Sequence, residues 1–171
     1  MTERMEKALN KQIAKEGYAS FLYLSMASWC EQRGMNGCAQ FFYRQSEEEH
    51  MHMMKIFTYV LEMDGKAQSP EIKKPQSDFK SISAVFMSTY DHEKEVTQCI
   101  HDLVNLAVEQ NDHATHNFLQ WYVEEQREEE ALMRDILDKI NLIGDGPQSL
   151  YFIDKEVDAI NKAAAKAEAG A

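Results

Sequence analysis

The stretch Ser46-Glu47-Glu48-Glu49-His50-Met51-His52-Met53-Met54 sets three successive carboxylates and two imidazoles within about two and a half helical turns. It holds two Glu-x-x-His pairs, Glu47 with His50 and Glu49 with His52, and in a helix each pair shares a face because residues three apart are neighbours. Only one pair can face a core. The surrounding apolar spacing chooses, since Phe41, Gln45, Glu49, His52, Ile56 and Val60 recur every three or four residues and form one stripe. Glu49 and His52 therefore fall in line with core residues, Glu47 and His50 fall on the opposite polar side, and Glu48 borders the stripe. A carboxylate and an imidazole in a core stripe are costly to desolvate, and a metal ion is the commonest compensation.

The same interruption recurs along the chain. A first helix, from about Glu3 to Arg33, carries Leu9, Ile13, Glu16, Ser20, Tyr23, Ala27 and Cys30 on one face, with Glu16 the carboxylate among them. Gly34 to Gly37 makes a short turn, so the second helix, about Cys38 to Met63, runs back antiparallel. Residues 65–80 are polar, hold Pro70 and Pro75 and show no period, which predicts a crossover loop. Such a loop reaches up to roughly 50 Å, against ~40 Å for a helix of about 27 residues. It can return the chain along the bundle and leave the second and third helices parallel.

The third helix, about Ser81 to Gln110, has Ile82, Phe86, Thr89, Glu93, Val96, Ile100, Leu103 and Ala107 in line, interrupted at Glu93. Asn111-Asp112 is a turn and cap signal. The fourth helix follows to about Ile143 with Thr115, Leu119, Tyr122, Gln126, Glu129, Met133, Ile136 and Ile140, interrupted by the pair Gln126 and Glu129. Gly144-Asp145-Gly146-Pro147 breaks it, and Ser149 to about Ile160 reads as a short fifth helix burying Leu150, Ile153, Val157 and Ile160. The Ala/Lys/Glu-rich remainder has nothing to bury. The expected organisation is one all-α domain over residues 1–160 and a flexible tail over 161–171.

Composition agrees and excludes other classes. A chain of 171 residues with 3 prolines and 7 glycines is one domain's worth with few helix breakers. Its net charge of −11 repels nucleic acid and attracts cations, and no basic arm offsets it, so neither nucleic acid nor a membrane surface is an expected partner. Three cysteines, Cys30, Cys38 and Cys99, and an N-terminus without an apolar signal region predict a cytoplasmic protein with reduced thiols.

In an antiparallel bundle the mid-length interruptions come to one level, so Glu16, Glu49, His52, Glu93, Gln126 and Glu129 are expected to line a polar chamber, with Glu48, Glu125 and Glu128 on its inner rim. Taken singly, each has a plainer explanation: a boundary glutamate whose stem snorkels, a solvated face for residues 124–130, ordinary core aromatics for Tyr23 and Tyr122. Four matching interruptions together require several carboxylates to be buried side by side, which favours a metal site. Mostly oxygen ligands with one imidazole suit iron or manganese better than copper or zinc. Glu49, on a central helix, is the natural bridge between two ions some 3.5–4 Å apart.

These residues resemble the prokaryotic non-haem ferritins. The resemblance covers nearly the whole chain: Glu16-Gly-Tyr-Ala-Ser with Tyr23, Glu48-Glu49-His-Met-His52, His92-Glu93, Asn117-Phe-Leu-Gln-Trp-Tyr-Val with Glu125-Gln126-Arg-Glu128-Glu129-Glu, and Leu150-Tyr-Phe-Ile-Asp-Lys-Glu. It implies a ferritin-like four-helix bundle with the long crossover and fifth helix, assembled as a 24-subunit homo-oligomeric shell that oxidises Fe(II) with oxygen or hydrogen peroxide and stores Fe(III) mineral. By that resemblance Glu16, Glu49 and His52 look like a first iron site, and Glu49, Glu93 and Glu129 like a second, with Gln126 close by. Glu48, Glu125, Glu128 and Glu129 resemble a third, inner site, and Tyr23 the tyrosine beside the di-iron pair. The fourth helix departs from the Glu-x-x-His pair that di-iron bundles place on each of two helices, offering Gln126-x-x-Glu129 instead. Haem-binding relatives carry Met directly after the bridging Glu; here that residue is His50, so no haem is expected. A di-iron peroxidase or oxygenase acting on an external substrate would use the same ligands, but the sequence shows no apolar substrate pocket and no rubredoxin-type Cys pairs.

Overall fold

The computed structural model describes residues 1–169, and all regular structure among them is helical. The helices are α1 (Glu3–Glu31), α2 (Asn36–Glu62), α3 (Ile82–Glu109), α4 (His113–Ile143) and α5 (Ser149–Ala169). The first four begin and end within two residues of the positions read from periodicity, because the chain carries its own start and stop signals. Thr2, Ser81 and Asp112 each accept a hydrogen bond from a backbone N–H three residues on and so cap α1, α3 and α4. Gly34, Asn111 and Gly144 turn the chain out of helix at φ of 71°, 54° and 66°.

Contacts between helix ends give the directions. The Thr2 hydroxyl donates to Gln110 at 2.5 Å, so α1 starts where α3 finishes. Tyr59, late in α2, bonds Thr115, early in α4, at 2.9 Å. Since α1 and α2 are joined by a tight turn, α2 and α3 run parallel. The crossover over residues 65–80 climbs alongside α1: Gln68 N–H donates to Asn10, Ser25 donates to the Gln76 carbonyl, and Trp29 meets Phe79 edge-on.

The core is in two parts. One apolar cluster holds Ala19 to Cys30 of α1, Cys38 to Phe42 of α2, Ile82 to Phe86 of α3 and Met133 to Ile140 of α4. The other holds Met5 to Ile13, Ile56 to Val60, Val96 to Ala107, and Leu119 with Tyr122. On every helix the polar interruption lies between the two clusters, so the stripes predicted for α1 to α4 are buried as a whole and the carboxylates meet at one height.

The fifth helix differs from expectation. It continues to Ala169 rather than ending near Ile160, because alanine, lysine and glutamate are the strongest helix formers and extend a helix that is already nucleated. Residues 170 and 171 of the expected tail lie outside the described residues. Ile153 and Val157 are buried, but Leu150 in the first turn is exposed together with Tyr151 and Phe152. Beside the apolar contact of Ile153 and Val157 there is a polar one: the Cys38 N–H, at the start of α2, donates to Asp154 Oδ1 at 2.8 Å. Met35, the N-cap of α2, makes no side-chain cap bond, so α5 supplies the missing acceptor. Gly37 permits this approach, since a Cβ there would run into Asp154. Replacing Asp154 by Ala should lower stability by about 1–2 kcal/mol, read as a shift of the denaturation midpoint; an unchanged midpoint would show that α5 does not depend on this cap.

Candidate metal centre

Six polar side chains occupy the gap between the clusters: Glu16, Glu49, His52, Glu93, Gln126 and Glu129, none more than 5% exposed. Glu16, Glu49 and His52 each bring one ligand atom to within 4.8 Å of the others. His52 Nδ1 faces Glu49 Oε2 at 3.5 Å, the i to i+3 geometry expected of that pair. A second group overlaps the first: Glu48, His52 and Glu125, with His52 Nε2 at 3.9 Å from Glu125. The His52 ring thus has one nitrogen toward each group. Its ring packs edge-on against Trp121, and the Tyr122 hydroxyl donates to the His52 carbonyl at 2.8 Å, fixing that turn of α2.

Three of the four carboxylates accept hydrogen bonds from neutral donors. Gln12 donates to Glu16 Oε1 at 2.8 Å, Gln126 to Glu93 Oε2 at 3.0 Å, Gln45 to Glu129 Oε1 at 3.4 Å, and the Tyr23 hydroxyl to Glu93 Oε1. The second oxygens of Glu16, Glu49 and Glu129 are buried without any hydrogen-bond donor. Buried acceptors left unpaired are expensive, and several aimed into one space fit a hard or borderline cation.

The electrostatics match. Burial pushes Glu16 up from the ordinary carboxylate range, and burial followed by repulsion from neighbouring carboxylates pushes Glu49 and Glu129 well above it. Glu93 is raised to about 7 by burial, against the lowering effect of its Tyr23 and Gln126 bonds. Burial holds His52 down to about 4, so its imidazole is neutral and has a lone pair for a metal at neutral pH.

The structure does not bring all predicted residues equally close. Among the described residues, Glu93 and Glu129 border the chamber but belong to neither ligand group. Both Glu93 oxygens are engaged, by Tyr23 and Gln126, and a cation would have to compete for them. Glu128 stands outside the chamber, its side chain 63% exposed and 3.4 Å from Arg127. Arg127 otherwise pairs with Glu124 on the same exposed face. Glu47 and His50 are exposed on the polar side of α2 as predicted. Tyr23 is fully buried and touches the site through Glu93 rather than serving only as core. Sequence reasoning missed Gln12 and Gln45 as site residues. Their signals were an amide four residues before Glu16 and an amide inside the α2 stripe.

Residues 6–143 match the family model described as the ferritin-like domain. The chain belongs to the ferritin family. It is 44% identical over 160 residues to the bacterial non-heme ferritin of Campylobacter jejuni, covering 94% of this chain and 96% of that protein. To the bacterial non-heme ferritin of Escherichia coli O157:H7 it is 40% identical over 159 residues, covering 93% and 96%. Among solved structures it superimposes on an open pore ferritin from the hyperthermophilic archaeon Archaeoglobus fulgidus with a TM-score of 0.90 at 45% identity, over 92% of this chain and 98% of that one. The ferritin fold is thus the frame in which the two ligand groups sit. Among the described residues no helix is long and apolar enough to cross a membrane.

One groove corrects the sequence reading. An opening of about 870 Å³ beside His52 is lined in part by Met51, Met54, Phe118 and Trp121, an apolar surface that periodicity did not disclose because it is assembled from two helices, α2 and α4.

Raised carboxylate pKa values set the pH dependence of the metal-free protein. A carboxyl whose folded-state pKa exceeds its unfolded value favours the fold while protonated and loses that contribution as pH rises through the folded value. The thermal midpoint of metal-free protein should therefore rise from about pH 8 to about pH 6.5, with Glu93 alone contributing about 1 kcal/mol over that window. Below about pH 6.5 the depressed His52 opposes the gain, because its unfolded form takes up a proton that the fold excludes. Glu93→Gln should flatten the rise; an equal slope in the variant would exclude Glu93 as its source.

Proposed function

We propose that this chain is the subunit of an iron-storing shell and a ferroxidase: Fe(II) is its substrate, oxygen or hydrogen peroxide its oxidant, and Fe(III) mineral its cargo. The observation that carries the reading is the buried Glu16, Glu49 and His52 group, whose unpaired carboxylate oxygens face one another between two apolar clusters. Family membership supports iron as the ion, and so does the similarity to bacterial non-heme ferritins. Glu16, Glu49 and His52 would hold one Fe(II), and Glu49, Glu93 and Glu129 a second, Glu49 bridging. Gln126 would steady Glu93.

Hard carboxylate oxygens stabilise Fe(III) over Fe(II) and so favour oxidation. Two Fe(II) ions side by side can give two electrons to one oxygen molecule, which with two protons leaves as hydrogen peroxide. Tyr23, bonded to Glu93, lies where a proton or a further electron could be supplied. Glu48 and Glu125, with His52 between them and the first group, form the next step outward, and Glu128 a further one. The shell is proposed to hold 24 subunits in the cytoplasm, with residues 1–160 forming the di-iron domain and no haem.

A second reading has a specific observation behind it. The part-apolar groove beside His52 would suit a di-iron peroxidase or oxygenase acting on an external organic substrate. Retention of many irons per subunit after aerobic Fe(II) addition supports storage, and retention of two or fewer supports the rival.

Glu49→Ala and His52→Ala should each slow the fast phase of Fe(II) oxidation, followed by stopped flow, by at least about a hundredfold. Both should fold as well as wild type or better, because each removes a buried ionisable group. An unchanged fast phase in either variant would overturn the ligand assignment.

A further inference from the structure

The carboxylates of the chamber and of its rim are held by different kinds of donor. Glu16, Glu93 and Glu129 accept from amides and a phenol, all neutral. Glu48, on the rim, accepts from Gln45 at 2.8 Å and also from the guanidinium of Arg44 at 3.0 Å, both at Oε2. The Arg44 and Glu48 side chains are only 16% and 18% exposed, so this pair is partly desolvated and is not one of the weak surface bridges. The i to i+4 spacing makes the two residues helix neighbours, though in the less favourable order, with the base ahead of the acid. The guanidinium is fixed from two other sides. Arg44 Nε donates to Asn161 Oδ1 on α5 at 2.7 Å, and its Cζ lies 5.9 Å from the centre of the Phe41 ring. Resting on the function proposed above, iron leaving the inner group would meet Glu48 and Glu125 next, beside His52.

We propose that Arg44 is a built-in counter-ion for the rim: a positioning residue, set in place by Asn161, that keeps Glu48 from holding a divalent cation tightly, so that iron passes outward instead of being trapped. A fixed positive charge 3.0 Å from a ligand oxygen repels a metal at that oxygen and competes with it for the same lone pairs. The inner carboxylates Glu16, Glu93 and Glu129 are held by neutral donors, which share lone pairs with an incoming cation but carry no net charge to repel it. Affinity thus falls stepwise from chamber to rim. The plainer alternative is that Arg44 only staples α5 to α2, in which case removing it loosens α5 without tightening any cation.

Titration of the assembled, metal-free protein with Zn(II) by calorimetry separates the two. Zn(II) is redox-inert and borderline, and it reports binding without oxidation. Wild type should show a tight class at the inner ligands and a weaker class at the rim. Arg44→Gln should tighten the weaker class by about tenfold or more and slow the release of that Zn(II) to a chelator. Asn161→Ala, which keeps the charge but frees the guanidinium, should shift both in the same direction by less. Arg44→Lys should stay near wild type in affinity. A weaker class that is unchanged or weakened in Arg44→Gln, with the tight class still filled, would sink the counter-ion role and leave the ferroxidase reading standing. Loss of the tight class in wild type would instead strike at that reading.

Discussion

Burying several carboxylates at one height in a hydrocarbon interior is the constraint that shapes this protein. Each would remain ionised in water, and each loses most of its solvation between the four helices. The fold accommodates them in two ways: Glu16, Glu93 and Glu129 take hydrogen bonds from neutral amides or a phenol, and the acidities of all four carboxyls are shifted toward the protonated form, while one oxygen each of Glu16, Glu49 and Glu129 stays buried without a donor. Neither fully compensates an unpaired buried anion. A cation does, and the arrangement is therefore poised for one.

Stability comes from elsewhere. The two apolar clusters above and below the chamber carry the large side chains, Phe41, Phe42, Phe86 and Tyr23 in one, Met5, Leu9, Ile56 and Ile100 in the other. They clamp the helices on both sides of the polar layer, so its geometry is set by packing and not by the ligands. That division lets a destabilising layer persist at the centre of a stable bundle, because strain at the middle is resisted from both ends.

Helix α2 joins the parts. Within three turns it supplies Arg44 and Gln45 as donors, Glu48 at the rim, and Glu49 with His52 in the chamber. His52 has a nitrogen toward each ligand group, and a hydroxyl of α4 holds its backbone. Helix α5 bears on the same element twice, through Asp154 at its start and Asn161 beside Arg44. The seat of the fifth helix and the outward side of the candidate metal centre are thus linked through one helix.

Much of this was legible in the chain. Periodicity of three and four placed Glu16, Glu49, His52, Glu93, Gln126 and Glu129 on buried faces, and all six are buried, because the face a residue takes depends only on its helix and the helix's apolar stripe. Turn residues placed the breaks for the same local reason. The outer end of α5 went astray where strong helix propensity prevailed without burial, and Leu150 where an apolar residue at the right spacing found no partner. Only the tertiary structure could decide that Gln12 and Gln45 hold carboxylates, that Tyr23 and Gln126 claim Glu93, that Glu128 turns away with Arg127, and that a groove opens beside His52. Those outcomes depend on rotamers and on distances between helices, which the packing of all the helices sets together and no single stretch of sequence contains.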